Sequence, residues 1–134
     1  MGRRREPVTA VRMGRMLTLI VDDEDDMRIL VRTTIEIANQ GLQVSGEATN
    51  GTEALQAWRE SRPDCIVIDQ RMPGLTGIEV CREILAEDPT QRIVLFTAFA
   101  DTELRRTAKE IGVRAVLPKD QVHRLPETLW GLAA

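Results

Sequence analysis

The chain has 134 residues and a formal net charge of −3, a length that suits one domain around one hydrophobic core. No apolar run approaches the roughly 20 residues that span a bilayer, which excludes a membrane-spanning helix. With one histidine, two cysteines and no C-x-x-C pair, a zinc site fits poorly, and Cys65 and Cys81 read as buried free thiols in a reducing cytoplasm.

Residues 1–15 hold five arginines against Glu6, a net of +4, and have no apolar segment behind them. They read as a basic, disordered arm rather than a secretory signal, with Met13 and Met16 as alternative starts. Residues 16–134 hold 13 basic and 20 acidic groups, a net of −7. A field of that sign draws in neither nucleic acid nor an anionic membrane.

From Met16 the pattern alternates. The run "LTLIV" (17–21) predicts a buried strand. Met27, Leu30, Val31, Thr34, Ile35 and Ala38 then recur at helical spacing and predict one apolar stripe, with Asp25 and Asp26 capping its start and Gly41 following its end. "LQVSGEA" (42–48) alternates like a second strand. Asn50 and Glu53 resemble a capping pair for a helix carrying Ala54, Leu55 and Trp58. Pro63-Asp64 ends that unit, and "CIVID" (65–69) is the third strand. Ile78, Cys81, Ile84 and Leu85 mark a third helix, and "RIVLFTA" (92–98) a fourth strand. Leu104, Ala108 and Ile111 mark a fourth helix closed by Gly112. "AVLP" (115–118) is a short fifth strand. Pro126 suits the first turn of a last helix carrying Leu129, Trp130 and Leu132.

Five strands alternating with five helices predict an α/β fold, a parallel sheet with helices on both faces. Ligands in such folds sit beyond the C-terminal ends of the strands, where strand order reverses. The strand ends are therefore informative. Strand one ends in Asp22-Asp23, strand three in Asp69, strand four in Thr97, and strand five in Lys119. Burying an unpaired carboxylate at the end of a strand is costly, so Asp69 needs a cation or water beside it. Taken alone, "DDEDD" reads as a solvated acidic turn, and a lone Thr or Lys carries no information. All of them at one sheet edge point to phosphoryl chemistry. Clustered carboxylates suit Mg²⁺, a carboxylate can act as nucleophile toward phosphorus, and a lysine and a hydroxyl can neutralise phosphoryl oxygens.

The segments "IVDDEDDMRILV", "CIVIDQRMPGLTG", "VLFTA" and "LPKD" resemble the signature segments of the response-regulator receiver domain of two-component signalling. The resemblance covers essentially all of 16–134. It implies a flavodoxin-like, doubly wound (βα)5 fold with strand order 2-1-3-4-5. It implies that Asp69 accepts a phosphoryl group from a sensor histidine kinase or a histidine phosphotransfer protein. Asp23 and Asp69 would bind Mg²⁺ directly, with the Arg71 backbone carbonyl as a further ligand and Asp22 acting through water. Lys119 would pair with Asp69 and then with the phosphoryl group. Thr97 would move toward that group as the family's switch. Such a domain is a signalling domain rather than an enzyme. It would pass its signal to a downstream protein target, with self-association through the face of the fourth helix, fifth strand and fifth helix. Because residues 16–134 end with the fifth helix, a lone or truncated regulator without its own DNA-binding output is expected.

The sequence departs from the family pattern at two places. Val116 stands three positions before Lys119, where the family often has an aromatic switch residue. Asp120 follows Lys119 where the family often has proline, and Pro118 precedes it. Arg71 and Phe99, each two residues past a key position, are expected to govern water access to the phosphoryl group. The alternative for Phe99 is that it packs down onto the fourth helix. Competing readings are a degenerate receiver acting only as an interaction module and a haloacid-dehalogenase-type phosphatase with Asp23-Glu24-Asp25 as its motif. A flavodoxin is disfavoured because an acidic first loop repels a flavin phosphate.

Overall fold

The strands form where short runs of apolar residues can be buried from both sides. All four residues of the third strand, Cys65–Ile68, are buried, which is possible only at the centre of a sheet covered on both faces. The computed structural model describes residues 14–133. The expected arm at 1–15 therefore lies outside the described residues, apart from Gly14 and Arg15.

The order is β1 (Met16–Val21), α1 (Asp25–Ala38), β2 (Leu42–Ala48), α2 (Gly51–Ser61), β3 (Cys65–Ile68), α3 (Gly77–Glu87), β4 (Arg92–Thr97), α4 (Thr102–Ile111), β5 (Ala115–Pro118), a 3-10 turn (Lys119–Arg124) and α5 (Leu125–Ala133). The five strands are parallel in the order β2-β1-β3-β4-β5. This is the expected doubly wound α/β fold, and its strand order reverses between β1 and β3.

Side-chain alternation along the strands divides the interior into two layers. Leu19, Ile66, Ile68, Ile93 and Leu95 face Trp58, Cys81, Ile84 and Ala108 of α2, α3 and α4. Ile20, Cys65, Val67, Val94 and Phe96 face Val31, Ile35, Leu125 and Leu129 of α1 and α5. Gln91 closes the lower end of the first layer. Its side-chain carbonyl accepts the Trp58 indole N–H at 2.8 Å, so the buried ring has a partner for its one polar atom.

Helix ends follow their capping chemistry, with exceptions. Thr76 and Glu79 form a full capping box at α3. Asn50 accepts from the Glu53 N–H at 2.9 Å, but the Glu53 carboxylate turns to the Thr49 N–H and hydroxyl instead of closing the box on Asn50. At α1 the N-cap is Glu24, which makes no side-chain cap bond. Asp25 and Asp26 therefore do not cap; they lie in the first turn, where their charges suit the dipole. Leu30, expected on the buried stripe, is 40% exposed, while Val31 and Ile35 are buried. Residues 30 and 31 differ by about 100° around the helix, and the contact with the sheet is narrow enough to take only one of them.

Both thiols are buried, and burial pushes each from its ordinary value up to about 12. The sign follows directly. The unfolded chain ionises near pH 8.5 while the native thiols stay protonated, so their contribution is complete below that pH and is lost as pH rises toward about 12. Native protein at pH 8 should resist iodoacetamide at Cys65 and Cys81. The fall in urea midpoint between pH 8 and 10 should be smaller in a Cys65→Ala, Cys81→Ala variant than in the wild type.

Candidate functional site

The register of two neighbouring strands builds the site. Val21 pairs with Ile68, so the next residue on each strand, Asp22 and Asp69, emerges side by side at the sheet edge where strand order reverses. The Asp69 N–H donates to the Val21 carbonyl at 3.0 Å, which continues the ladder one step past the strand. Asp22 and Asp69 are buried, at 3% and 6% exposure, and Asp23 is exposed. One carboxylate oxygen from each of the three lies within 4.8 Å of the others.

Lys119 reaches this group from the end of β5. Its Nζ lies 2.9 Å from Asp22 Oδ2 and 3.2 Å from Asp69 Oδ2, with Glu24 at 3.9 Å. Burial raises the Asp69 carboxyl above its ordinary range, the Asp22 charge works in the same direction, and Lys119 opposes them only in part. Burial works against the charged Lys119, but its hydrogen bond to Asp22 and the charge of Asp69 outweigh that and raise it. Three carboxylates stand against one ammonium here, so acidic groups outnumber the cation beside them. The donors are all carboxylate oxygens, hard ligands that fit Mg²⁺ rather than a thiophilic metal.

The loop after β3 is firmly held. The Gly77 N–H donates to the Gln70 carbonyl at 3.0 Å, and the Gln70 side chain accepts from the Ile78 N–H at 2.8 Å. A Cβ on Gly77 would stand 2.4 Å from the Asp69 carbonyl oxygen, so only glycine lets α3 start this close to the site. Gly74 takes a positive φ of 78° in the same loop, a conformation glycine adopts without cost.

Thr97 ends β4 and is buried at 1% exposure. Beside it an open groove of about 560 Å³ is lined by Gln70, Arg71, Met72, Thr76, Thr97 and Phe99. Phe99 is 59% exposed, so it does not pack down onto α4. The Arg71 guanidinium instead lies over its ring, 4.5 Å from the centroid. Val116 is half-buried, and its carbonyl accepts from Arg105 Nη1 at 3.3 Å, while Arg105 Nε donates to the Ala100 carbonyl at 3.1 Å. An arginine of α4 thus joins the loop after β4 to β5, where an aromatic ring was absent from the sequence. After Pro118 the chain enters the 3-10 turn, and the described peptide bonds are all trans.

The structure thus gathers Asp22, Asp23, Asp69 and Lys119 into one cluster, sets Thr97 and Phe99 in the adjoining groove, and leaves Val116 one strand away. Sequence reading missed Glu24, Gln70 and Arg28. The spacing from Asp25 to Arg28 offered a helix-neighbour signal, but the contact of Arg28 with Glu47 of β2 crosses elements and has none.

A family model for the response regulator receiver domain matches residues 18–129. The chemotaxis protein CheY of Thermotoga maritima is 36% identical over 118 residues, 87% of this chain and 96% of that protein. The sporulation initiation phosphotransferase F of Bacillus subtilis is 33% identical over 94 residues, 70% of this chain and 73% of that one. Among solved structures, the response regulator domain of Thermotoga maritima CheB superposes with a TM-score of 0.82 at 24% identity, covering 89% of this chain and 96% of that one, a likeness of fold.

Mutual repulsion of the three carboxylates predicts that Asp23→Asn stabilises the protein when no divalent cation is present. Thermal melts in chelator should rise by about 2–4 °C relative to the wild type. An unchanged or lower midpoint would show that the charges do not strain this edge.

Proposed function

The chain belongs to the response-regulator receiver family, and on that premise we propose that Asp69 is a phosphoacceptor whose modification switches the domain. The observation that carries this reading is the buried Asp69 carboxylate held beside Lys119 within the acidic cluster. A carboxylate oxygen of Asp69 attacks phosphorus in a phosphohistidine of a sensor kinase or a histidine phosphotransfer protein. The phosphorus–nitrogen bond breaks, its electron pair stays on the imidazole, and an aspartyl phosphate forms. Asp22, Asp23, Asp69 and the Arg71 carbonyl would hold Mg²⁺, which supplies charge neutralisation for the phosphoryl oxygens. Lys119 moves from the carboxylates toward the new phosphoryl group, and the Thr97 hydroxyl donates to it.

The switched domain acts in the cytoplasm through a protein target rather than through nucleic acid or catalysis of its own. The surface of α4, β5 and α5 is its output and self-association face. Because Val116 is small, movement of the loop after Thr97 is relayed to that face without a swinging ring.

Acetyl phosphate with Mg²⁺ should add one phosphoryl group to the wild type by intact mass, and none to Asp69→Asn. Full labelling of that variant, at Asp23 for example, would overturn the assignment and favour a phosphatase-type nucleophile.

Arg71 and Phe99 bear on how long the phosphoryl group survives. Neither side chain offers an amide or carboxylate to orient an attacking water, and stacked together they cover part of the groove. Self-dephosphorylation should be slow. The Phe99→Ala, Arg71→Asn double variant should lose phosphate roughly tenfold faster, about 1.4 kcal/mol of barrier. Decay rates timed after donor removal that match the wild type would show that the pair does not gate water.

A further inference from the structure

We propose that Arg28 is a positioning residue that holds Asp22 and Asp23 in the arrangement a divalent cation needs; this rests on the reading of the acidic cluster as a cation site. Arg28 lies in the first turns of α1, with its side chain 12% exposed. Its Nη1 donates to the Asp22 carbonyl oxygen at 2.7 Å. Its Nε donates to Glu47 Oε1 on β2 at 3.1 Å, and its Nη2 pairs with Asp25. One planar fork therefore ties together the end of β1, the first turn of α1 and the edge strand β2. Lysine cannot reproduce that, because a single ammonium has no such fixed fork.

The anchor on β2 is itself fixed. Glu47 stands opposite Ile20 in the sheet register, and its second oxygen accepts from Arg32 Nε at 2.6 Å. At the other end, every polar group of Asp22 is engaged. Its N–H donates to the Ala48 carbonyl at 3.1 Å. One carboxylate oxygen accepts from the Glu24 N–H at 3.0 Å, and the other faces Lys119 at 2.9 Å. The Arg28 bond to the carbonyl completes this set.

The loop needs such a brace. Asp23, Glu24, Asp25 and Asp26 are four consecutive exposed acids that repel one another. The N-cap of α1 makes no side-chain cap bond, so ordinary helix capping does not fix the loop. Arg28 supplies both the opposing charge and the geometry.

The sign of the effect separates positioning from plain electrostatics. Removing a positive charge beside an acidic cluster tightens cation binding if only the field matters. Removing a brace loosens it, and loss of an outer support of metal ligands typically costs 10–100-fold in affinity.

Arg28→Met keeps the apolar stem, and Arg28→Lys keeps the charge. Mg²⁺ would be titrated into wild type and both variants by NMR, with thermal melts and metal-free amide exchange at Glu24 and Val67 alongside. We expect Mg²⁺ affinity to fall roughly tenfold in both variants. Glu24 exchange should quicken while Val67 exchange stays unchanged. Equal or tighter Mg²⁺ binding by Arg28→Met, or unchanged Glu24 exchange in the folded variants, overturns the proposal. A lowered melting point with wild-type affinity also overturns it, because that marks a merely structural role. Should Arg28→Met not fold, Arg28→Lys decides by the same two readouts. If the wild type itself shows no Mg²⁺ binding while Glu24 exchange still quickens in the variants, the cation reading fails and the hold of Arg28 on the loop stands.

Discussion

The Lys119 ammonium between Asp22 and Asp69 is what allows two buried carboxylates to stand side by side at the end of the sheet. At such burial a carboxylate without a partner is expensive, and two together are worse. Burial raises Asp69 and the Asp22 charge adds to it, and the one cation shared between them offsets this only in part. The excess of negative charge left at this edge favours a further cation.

The fold puts that tension at a single place. Parallel strands with helices on both faces bring all strand ends to one edge, and the reversal of order between β1 and β3 opens a gap there between the loops. The two sides of the gap differ in mechanical character. The β3–α3 loop is held by Gly77, the Gln70 side chain and a complete capping box. The loop after β4 carries exposed Phe99, and its links to its surroundings include the surface arginines Arg71 and Arg105. The proposed phosphoacceptor, Asp69, thus directly precedes the firmly held loop.

Arg28 and Arg105 take comparable parts at opposite sides of the site. Each guanidinium joins segments that the backbone ladder does not connect. Arg28 braces the acidic loop against β2, and Arg105 joins the loop after Thr97 to β5. Arginine suits this work because its fork can satisfy several carbonyls or carboxylates in one plane. The Arg105 link reaches the Val116 carbonyl directly, at the position where no aromatic ring is present.

The sequence alone determined the alternation of elements, because apolar periodicity reflects which faces must leave water. It also determined the candidate site: Asp22-Asp23, Asp69 and Lys119 come just after a strand and Thr97 closes one, and parallel strands bring their ends together. Helix termini were legible where capping is local, as at Asn50 and Gly112. The tertiary structure alone decided what depends on neighbours distant in sequence. It left Leu30 exposed, because the width of the contact between α1 and the sheet is set by both partners. It lifted Phe99 off α4 and under Arg71, since a cation–π pair across two loops has no sequence period. It gave Arg28 its contact with Glu47 because the register of β1 against β2 sets which residues face each other. Pairing across elements is a property of packing, and packing is what one-dimensional spacing does not carry.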